Sequence, residues 1–399
     1  MRVPLRATLT PAGGQAVRSA AWAFAGTALR QGIGAVWSLL IPRLLGPAVY
    51  GAYALVVSFL EIQEMVSNLG LRWALPRFRA LYEAQKSNEA FAHVFSWAVI
   101  MRAIVVGIMV PATLCLVHLS LPEKLPTWSL VVLGLLTLPG SVVGSLLDLI
   151  YSRSNLKALT MFESSRMVLR IVAVSAGFLY WGLVGVILAD AFVGALAGWV
   201  TAWRAGRPWL LRLPARAHFR EATHLLGFGL SFAVGGLTHT GMMRGGNIAL
   251  RAAGATTAEV ALMALSVNWC LQAAGFLTSL LFGIVPTLSS LTATGDDARA
   301  RVWVIWIARW GMISALVVTA VYLAAGVPLV VWVLGSRYGG IAGPLSIASL
   351  AIVPFFVCEL VGKLAVSYGI RRLPLESFLV SVVPFVIAAY WLGGGHGVA

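Results

Sequence analysis

Cysteine is almost missing from this chain: Cys115, Cys270 and Cys358 are the only three in 399 residues, and all fall in apolar segments. An odd number in such surroundings speaks against a disulfide framework or a thiolate metal cluster and leaves them as small core residues. Charge is scarce too, at 11% of the chain, and acidic side chains are scarcest, with 14 Asp and Glu against 29 Lys and Arg. No Gly-x4-Gly-Lys-Ser/Thr loop and no His-Glu-x2-His pair occurs, so nothing points to nucleotide hydrolysis, a metal site or another cofactor. An enzyme is not the expectation.

What fills the chain instead is apolar: 59% hydrophobic residues and a mean hydropathy of +0.88 exceed what a soluble protein needs for its cores. A helix crosses the bilayer with about 20 such residues. Spans are expected near residues 20–42, 49–75, 92–119, 127–151, 158–180, 183–203, 222–244, 258–284, 302–327, 341–366 and 374–392. Barrel-type alternation is lacking, so these are helices and the fold class is an all-α polytopic membrane protein.

A net charge of +15 invites nucleic acid as a partner, but the positions of the cations decide otherwise. With the N-terminus cytoplasmic, about 18 Lys and Arg fall in inside loops, among them Arg72, Arg77, Arg79, Arg299 and Arg301, against 4 outside, Arg43, Lys124, Arg251 and Arg337. That bias sets the orientation. The five arginines from Arg204 to Arg220 form a basic connection, read as a topogenic loop with anionic-lipid attraction as the alternative. The first apolar run is too long for a signal-peptide core and reads as a retained span. Eleven crossings place the C-terminus outside, and the ending Gly393-Gly394-Gly395-His396-Gly397-Val398-Ala399 looks like the start of a further helix. A twelfth span is expected to be missing.

The connection divides the chain into an N-terminal bundle, residues 1–203, a linker, 204–221, and a C-terminal bundle, 222–399. The halves resemble each other: from Ala54 to Pro76 and from Ala264 to Pro286 the spacing is the same 22 residues, at an offset of 210. Parallel repeats of this kind enclose a central cavity in many transporters. The expected architecture is two six-helix-type bundles around a cavity, the second without its last helix.

The run Pro42-Arg43-Leu44-Leu45-Gly46-Pro47-Ala48-Val49-Tyr50-Gly51-Ala52-Tyr53-Ala54, then Ser67-Asn68-Leu69-Gly70-Leu71 and Pro76-Arg77-Phe78, resembles the first two helices of the polysaccharide flippases of the multidrug/oligosaccharidyl-lipid/polysaccharide (MOP) superfamily. Pro286-Thr287-Leu288-Ser289 and Leu334-Gly335-Ser336-Arg337-Tyr338 extend the resemblance over nearly the full chain. It implies a bacterial inner-membrane transporter that moves an undecaprenyl-pyrophosphate-linked oligosaccharide outward, among other polysaccharide-assembly proteins and membrane lipids. Two positions depart from the pattern: Asn68 stands where an acidic residue is frequent, and Ala261-Leu262-Met263 where Gly-x-Tyr is usual.

Charges at bilayer depth cost about 3 kcal/mol each and are therefore candidates for function. An arginine fork suits a pyrophosphate, which nominates Arg30, Arg102, Arg170 and Arg309. For Arg30 the alternative is a structural pair with Glu61 or Glu64, and for Arg102 and Arg309 it is snorkelling. Glu163, Arg166 and Arg170 share one helix face, either a cavity mouth or an internal pair plus one snorkelling arginine. Asn268 and Gln272 suit sugar hydroxyls or interhelical bonding. Glu61, Glu64, Asp148 and Asp190 are the carboxylates for ion coupling or pairing. Arg244 and Asn247 read as an interfacial anchor at the outer end of their span.

The flippase reading stands against three others: a cation-coupled drug exporter of the same superfamily, a membrane-embedded glycan-assembly enzyme, and an inactive scaffold. The exporter would favour a carboxylate-rich cavity, and the enzyme would need a long outside loop that this sequence does not have.

Overall fold

The computed structural model describes the backbone of residues 11–121, 124–152, 156–201, 203, 215–279, 297–368 and 376. The expected span 374–392, the linker residues 204–214, Pro286 to Ser289 and the ending Gly393 to Ala399 lie outside them, apart from Glu376. Helices make up nearly all of the described chain, and no strand occurs in it.

In order these are α1 (Pro11–Ser67), α2 (Leu71–Ala84), α3 (Asn88–Ser120), α4 (Thr127–Ser152), α5 (Leu156–Thr201), α6 (Phe219–Ala252), α7 (Thr257–Ser279), α8 (Asp297–Val321), α9 (Val327–Leu334), α10 (Ala342–Leu350) and α11 (Ile352–Tyr368). Six stretches of the described chain are long and apolar enough to cross a membrane: Leu29–Ser67 in α1, Asn88–Ser120, Met161–Val200 in α5, Thr257–Leu277, Ala298–Leu334 across α8 and α9, and Ser336–Gly362 across α10 and α11; those in α1 and α5 are bent. In α1 the break is Gly46, at φ 74 and ψ 166, followed by Pro47. Proline lacks the amide that a continuing helix needs but suits a new first turn. In α5 the break is Trp181–Gly182, after which the arms return on each other: a Cβ on Gly177 would lie 2.4 Å from the Gly185 carbonyl oxygen. Both breaks fall at the expected span boundaries.

Elsewhere the helix ends differ from the sequence expectation. The second span was expected to run to residue 75, but its helix stops at Ser67. Leu69 and Gly70 follow with φ 54 and 71, and α2 begins afresh. The Asn68 side chain accepts from the Arg72 amide at 3.3 Å, so the residue that departs from the family pattern caps α2. The ninth span, expected to end at residue 327, continues: Pro328 sits in the first turn of α9, and a π turn at Tyr322–Gly326 joins α8 to α9. The tenth span is divided at Ala351 between α10 and α11.

By packing, the described residues fall into two compact units. The first draws on the described residues within Met1–Leu40, Asn155–Val168 and Leu265–Ile370, the second on those within Ile41–Ser154 and Leu169–Ala264. In the first unit, Tyr322 Oη donates to the Trp269 carbonyl at 3.2 Å, and Phe356 packs so close to α8 that a Cβ on Gly311 would clash with its ring.

In the second unit, α2 buries Leu71, Ala74, Leu75 and Phe78 against Phe91 and Phe95 of α3 and Ala222, Leu225 and Phe228 of α6. A strut fastens this corner: Tyr82 Oη donates to Glu221 at 2.7 Å, and His218 Nδ1 lies 3.0 Å from the same carboxylate oxygen. Burial, then the bond to Glu221, pushes the Tyr82 hydroxyl well above its ordinary range, while the Tyr82 and His218 hydrogen bonds hold Glu221 below the usual carboxylate range. At neutral pH donor and acceptor both keep the form the bond requires.

Gly70 lets α6 approach the turn before α2. A Cβ there would lie 1.9 Å from the Gly229 carbonyl oxygen, and φ is +71. Gly70→Ala is therefore expected to force α2 and α6 apart and to lower stability by about 1–3 kcal/mol, from left-handed strain plus overpacking. Thermal unfolding of the purified variant checks this; an unchanged midpoint would refute the close approach.

Candidate functional site

The second arm of α1 sets its polar side chains at Tyr53, Ser58, Glu61 and Glu64, within a rise of about 17 Å at 1.5 Å per residue. Each meets a partner from another helix of the second unit. Glu61 accepts a forked pair of bonds from Arg244 of α6, Nε at 2.5 Å and Nη2 at 3.1 Å. One turn away, Asn247 Nδ2 donates to Ser58 Oγ at 2.9 Å, and Asn247 is buried. Residues 58 and 61 thus face 247 and 244 in antiparallel register, each set three apart on one helix face. Arg244 and Asn247, expected as an interfacial anchor, have side-chain partners on α1. They are the partners of the α1 face, and their spacing is the signal that matches them to it.

Glu64 accepts from Arg102 of α3, whose side chain is fully buried whereas that of Glu64 is 43% exposed. Gly144 of α4 makes room for this pair: a Cβ there would lie 3.0 Å from Arg102 Nη2 and 3.3 Å from Glu64 Oε1. Because the arm ends at Ser67, Glu61 and Glu64 occupy its last two turns and not its centre.

Nearer the Gly46 end, Arg170 joins the two arms of α5. Its Nε donates to Asp190 Oδ1 at 2.5 Å and its Nη2 to Asp190 Oδ2 at 2.8 Å. Nη2 also donates to Tyr53 Oη at 2.9 Å, and Tyr53 donates to Asp190 Oδ2 at 2.7 Å, closing a triangle. Here the arginine is the more accessible partner, 32% against 19% for Asp190. At Glu61 and Glu64 the carboxylate is the more accessible one, at 43% for both. The Arg170 pair thus leaves the guanidinium the more accessible group, and the other two pairs leave the carboxylate.

The remaining candidates divide between described and undescribed side chains. Arg30 is half-buried on the first arm of α1, in the first unit, and the carboxylates read as its partners are engaged by Arg244 and Arg102. Gln272 donates to the Gly34 carbonyl at 3.1 Å and accepts from Ser38 at 3.2 Å, an interhelical bond between α1 and α7. Asn268 is partly buried one turn away. Glu163 and Arg166 pair at 3.1 Å, separate from Arg170. Arg309 is exposed on α8, on the face that carries Ile305, Trp306 and Ile313. Asp148 lies on α4, outside the described side chains. Among the described residues no group of His, Cys, Asp and Glu is arranged to hold a metal ion.

Residues 16–292 match a protein family described as polysaccharide biosynthesis protein. No curated protein matches by sequence. Among solved structures, the chain is similar to a MATE protein in complex with MaD5, with a TM-score of 0.61 at 15% identity over 95% of this chain and 90% of that one. It is also similar to an inward-facing multidrug resistance MATE family transporter of the MOP superfamily, with a TM-score of 0.59 at 13% identity over 90% and 83% of the two chains. An outward-facing structure described in the same terms gives 0.58 at 15% identity over 96% and 89%. Likeness at these identities establishes the fold, an all-helical MATE-like arrangement of two helix bundles.

Proposed function

Because the chain belongs to the polysaccharide biosynthesis protein family, we propose that it is a transporter that flips a lipid-linked oligosaccharide, of the undecaprenyl-pyrophosphate type, across the bacterial inner membrane. The observation that carries the reading beyond the family is the Arg170 triangle. It is a charged fork in a helix apolar enough to span the membrane, held in place by Asp190 and Tyr53 and still one-third accessible. A planar guanidinium pre-set in this way offers paired donors to a pyrophosphate. Arg30 is the second cationic position in this proposal, with Asn268 and Arg309 as further contacts. Arg102, sealed from solvent, is assigned to holding Glu64. Alternating access with the N-terminus cytoplasmic completes the reading, with residues 204–221 joining the contiguous halves 1–203 and 222–399.

A cation-coupled exporter is the second reading, favoured by the half-exposed carboxylates of Glu61 and Glu64. The two readings diverge in a deletion strain of the source bacterium. The flippase reading expects loss of surface polysaccharide, accumulation of lipid-linked glycan at the inner leaflet, and rescue of both by this chain. Unchanged glycan together with raised sensitivity to cationic drugs would overturn it in favour of the exporter.

A further inference from the structure

The start of α6 carries a feature that the ion-pair ladder does not use. Arg220, Thr223, His224, Gly227, Phe228 and Ser231 line an open cavity of about 430 Å³, within the size range of small-ligand sites. Their spacing, three or four residues at a time, places them on a single face of α6. None of the six is acidic. The nearby carboxylate of Glu221 is taken up by Tyr82 and His218.

Two nitrogen donors, the guanidinium of Arg220 and the imidazole of His224, stand one turn apart and are both exposed. Thr223 and Ser231 donate their hydroxyl hydrogens to the carbonyls of Arg220 and Gly227, at 2.8 and 3.4 Å, so the Arg220 charge and the His224 ring N–H provide the attraction. The rest of the cavity is apolar or open. Phe228 forms a buried wall, braced by Phe78 at a ring separation of 5.8 Å, and nothing lies within 4 Å of where a Gly227 Cβ would be. Exposed Phe219 and Leu230 flank the face, and Trp97 packs edge-on against Phe219 at 5.0 Å. Cations at one end of an exposed helix face, with apolar side chains beside and below them, match a molecule with an anionic phosphate head and an acyl tail.

We propose that this groove binds the headgroup of an anionic bilayer phospholipid, its phosphate held by Arg220 and His224 and its acyl chains lying along Phe228 and Leu230. The groove shares no residue with the positions proposed for the transported molecule, Arg170, Arg30, Asn268 and Arg309.

Full-length protein reconstituted in nanodiscs of phosphatidylcholine with a minor fraction of phosphatidylglycerol, followed by native mass spectrometry of retained lipid, tests it. The native chain is expected to retain phosphatidylglycerol over phosphatidylcholine by about tenfold or more, as two charge-assisted contacts allow. Arg220→Gln combined with His224→Gln should abolish that preference, and Arg220→Lys should keep part of it. Gly227→Glu leaves both donors in place but adds a repelling charge in open space, and it should abolish the preference as well. If the double variant does not fold, Gly227→Glu decides the matter. An undiminished preference in either folded variant overturns the proposal. So does displacement of the lipid by millimolar inorganic phosphate, which would make the groove a site for soluble anions.

Discussion

Glu64→Ala is expected to lower the stability of the protein by about 3 kcal/mol, the low end of what breaking a buried ion pair costs. The cost falls on Arg102 more than on Glu64. The guanidinium is fully buried on α3, whereas the carboxylate is 43% exposed and regains water when released. Removing the acid strips a sealed cation of its carboxylate, and arginine cannot relieve the strain by giving up its proton. The pair Glu64→Leu with Arg102→Met should therefore be far closer to the native chain than Glu64→Ala alone. Gly144→Ala should act in the same direction but more weakly, since its methyl group must push the pair aside from 3.0 and 3.3 Å. Thermal unfolding of each purified variant by tryptophan fluorescence reads all three. If Glu64→Ala melts with the native protein, the pair does not bind α3 to α1. If the double variant melts lower than the single, the stabilisation comes from packing and not from charge.

How legible this was in the sequence depends on the kind of signal. Gly46-Pro47 and Trp181-Gly182 mark their bends because glycine admits the positive φ that the breaks adopt and proline fixes φ and lacks the amide a continuing helix needs. Asn68-Leu69-Gly70 was read through as helix because the apolar run continues into α2. What ends the helix is the left-handed turn at Leu69 and Gly70, with Asn68 ready to cap the next one. The ninth span is expected to end at residue 327, but a π turn at Tyr322–Gly326 carries the chain into α9.

The charged residues of the ladder were visible as charges at depth, but their pairing was not. Glu61 finds Arg244 across 183 residues, and hydropathy carries no information about which helix lies beside which. A weaker signal was present in Ser58 with Glu61 and Asn247 with Arg244, two polar couples with the same spacing of three. Arg170 and Asp190 are 20 residues apart, a distance that a helical hairpin with its turn midway at Trp181–Gly182 brings together. That pairing was within reach of the sequence once the bend was known.

Transport is expected to fall at least tenfold in Arg170→Lys and to vanish in Arg170→Leu with Asp190→Leu, although the second variant leaves no charge of the pair unpartnered and should fold. Lysine keeps the positive charge but not the planar fork, so it cannot reproduce the two bonds to Asp190 together with the bond to Tyr53. Tyr53→Phe removes only the hydroxyl of the triangle, costs about 0.5–1.5 kcal/mol of stability, and should leave transport largely intact. The leucine pair separates structure from function. If Arg170 serves only to join the arms of α5, an apolar pair of similar reach joins them equally well and flipping continues. If Arg170 receives the pyrophosphate, the same protein is stable, abundant and inactive. Flipping of a fluorescent polyprenyl-pyrophosphate-linked sugar in proteoliposomes measures the difference. Normal flipping by a folded Arg170→Leu/Asp190→Leu protein would move the substrate site away from the triangle, leaving Arg30 as the next arginine to examine.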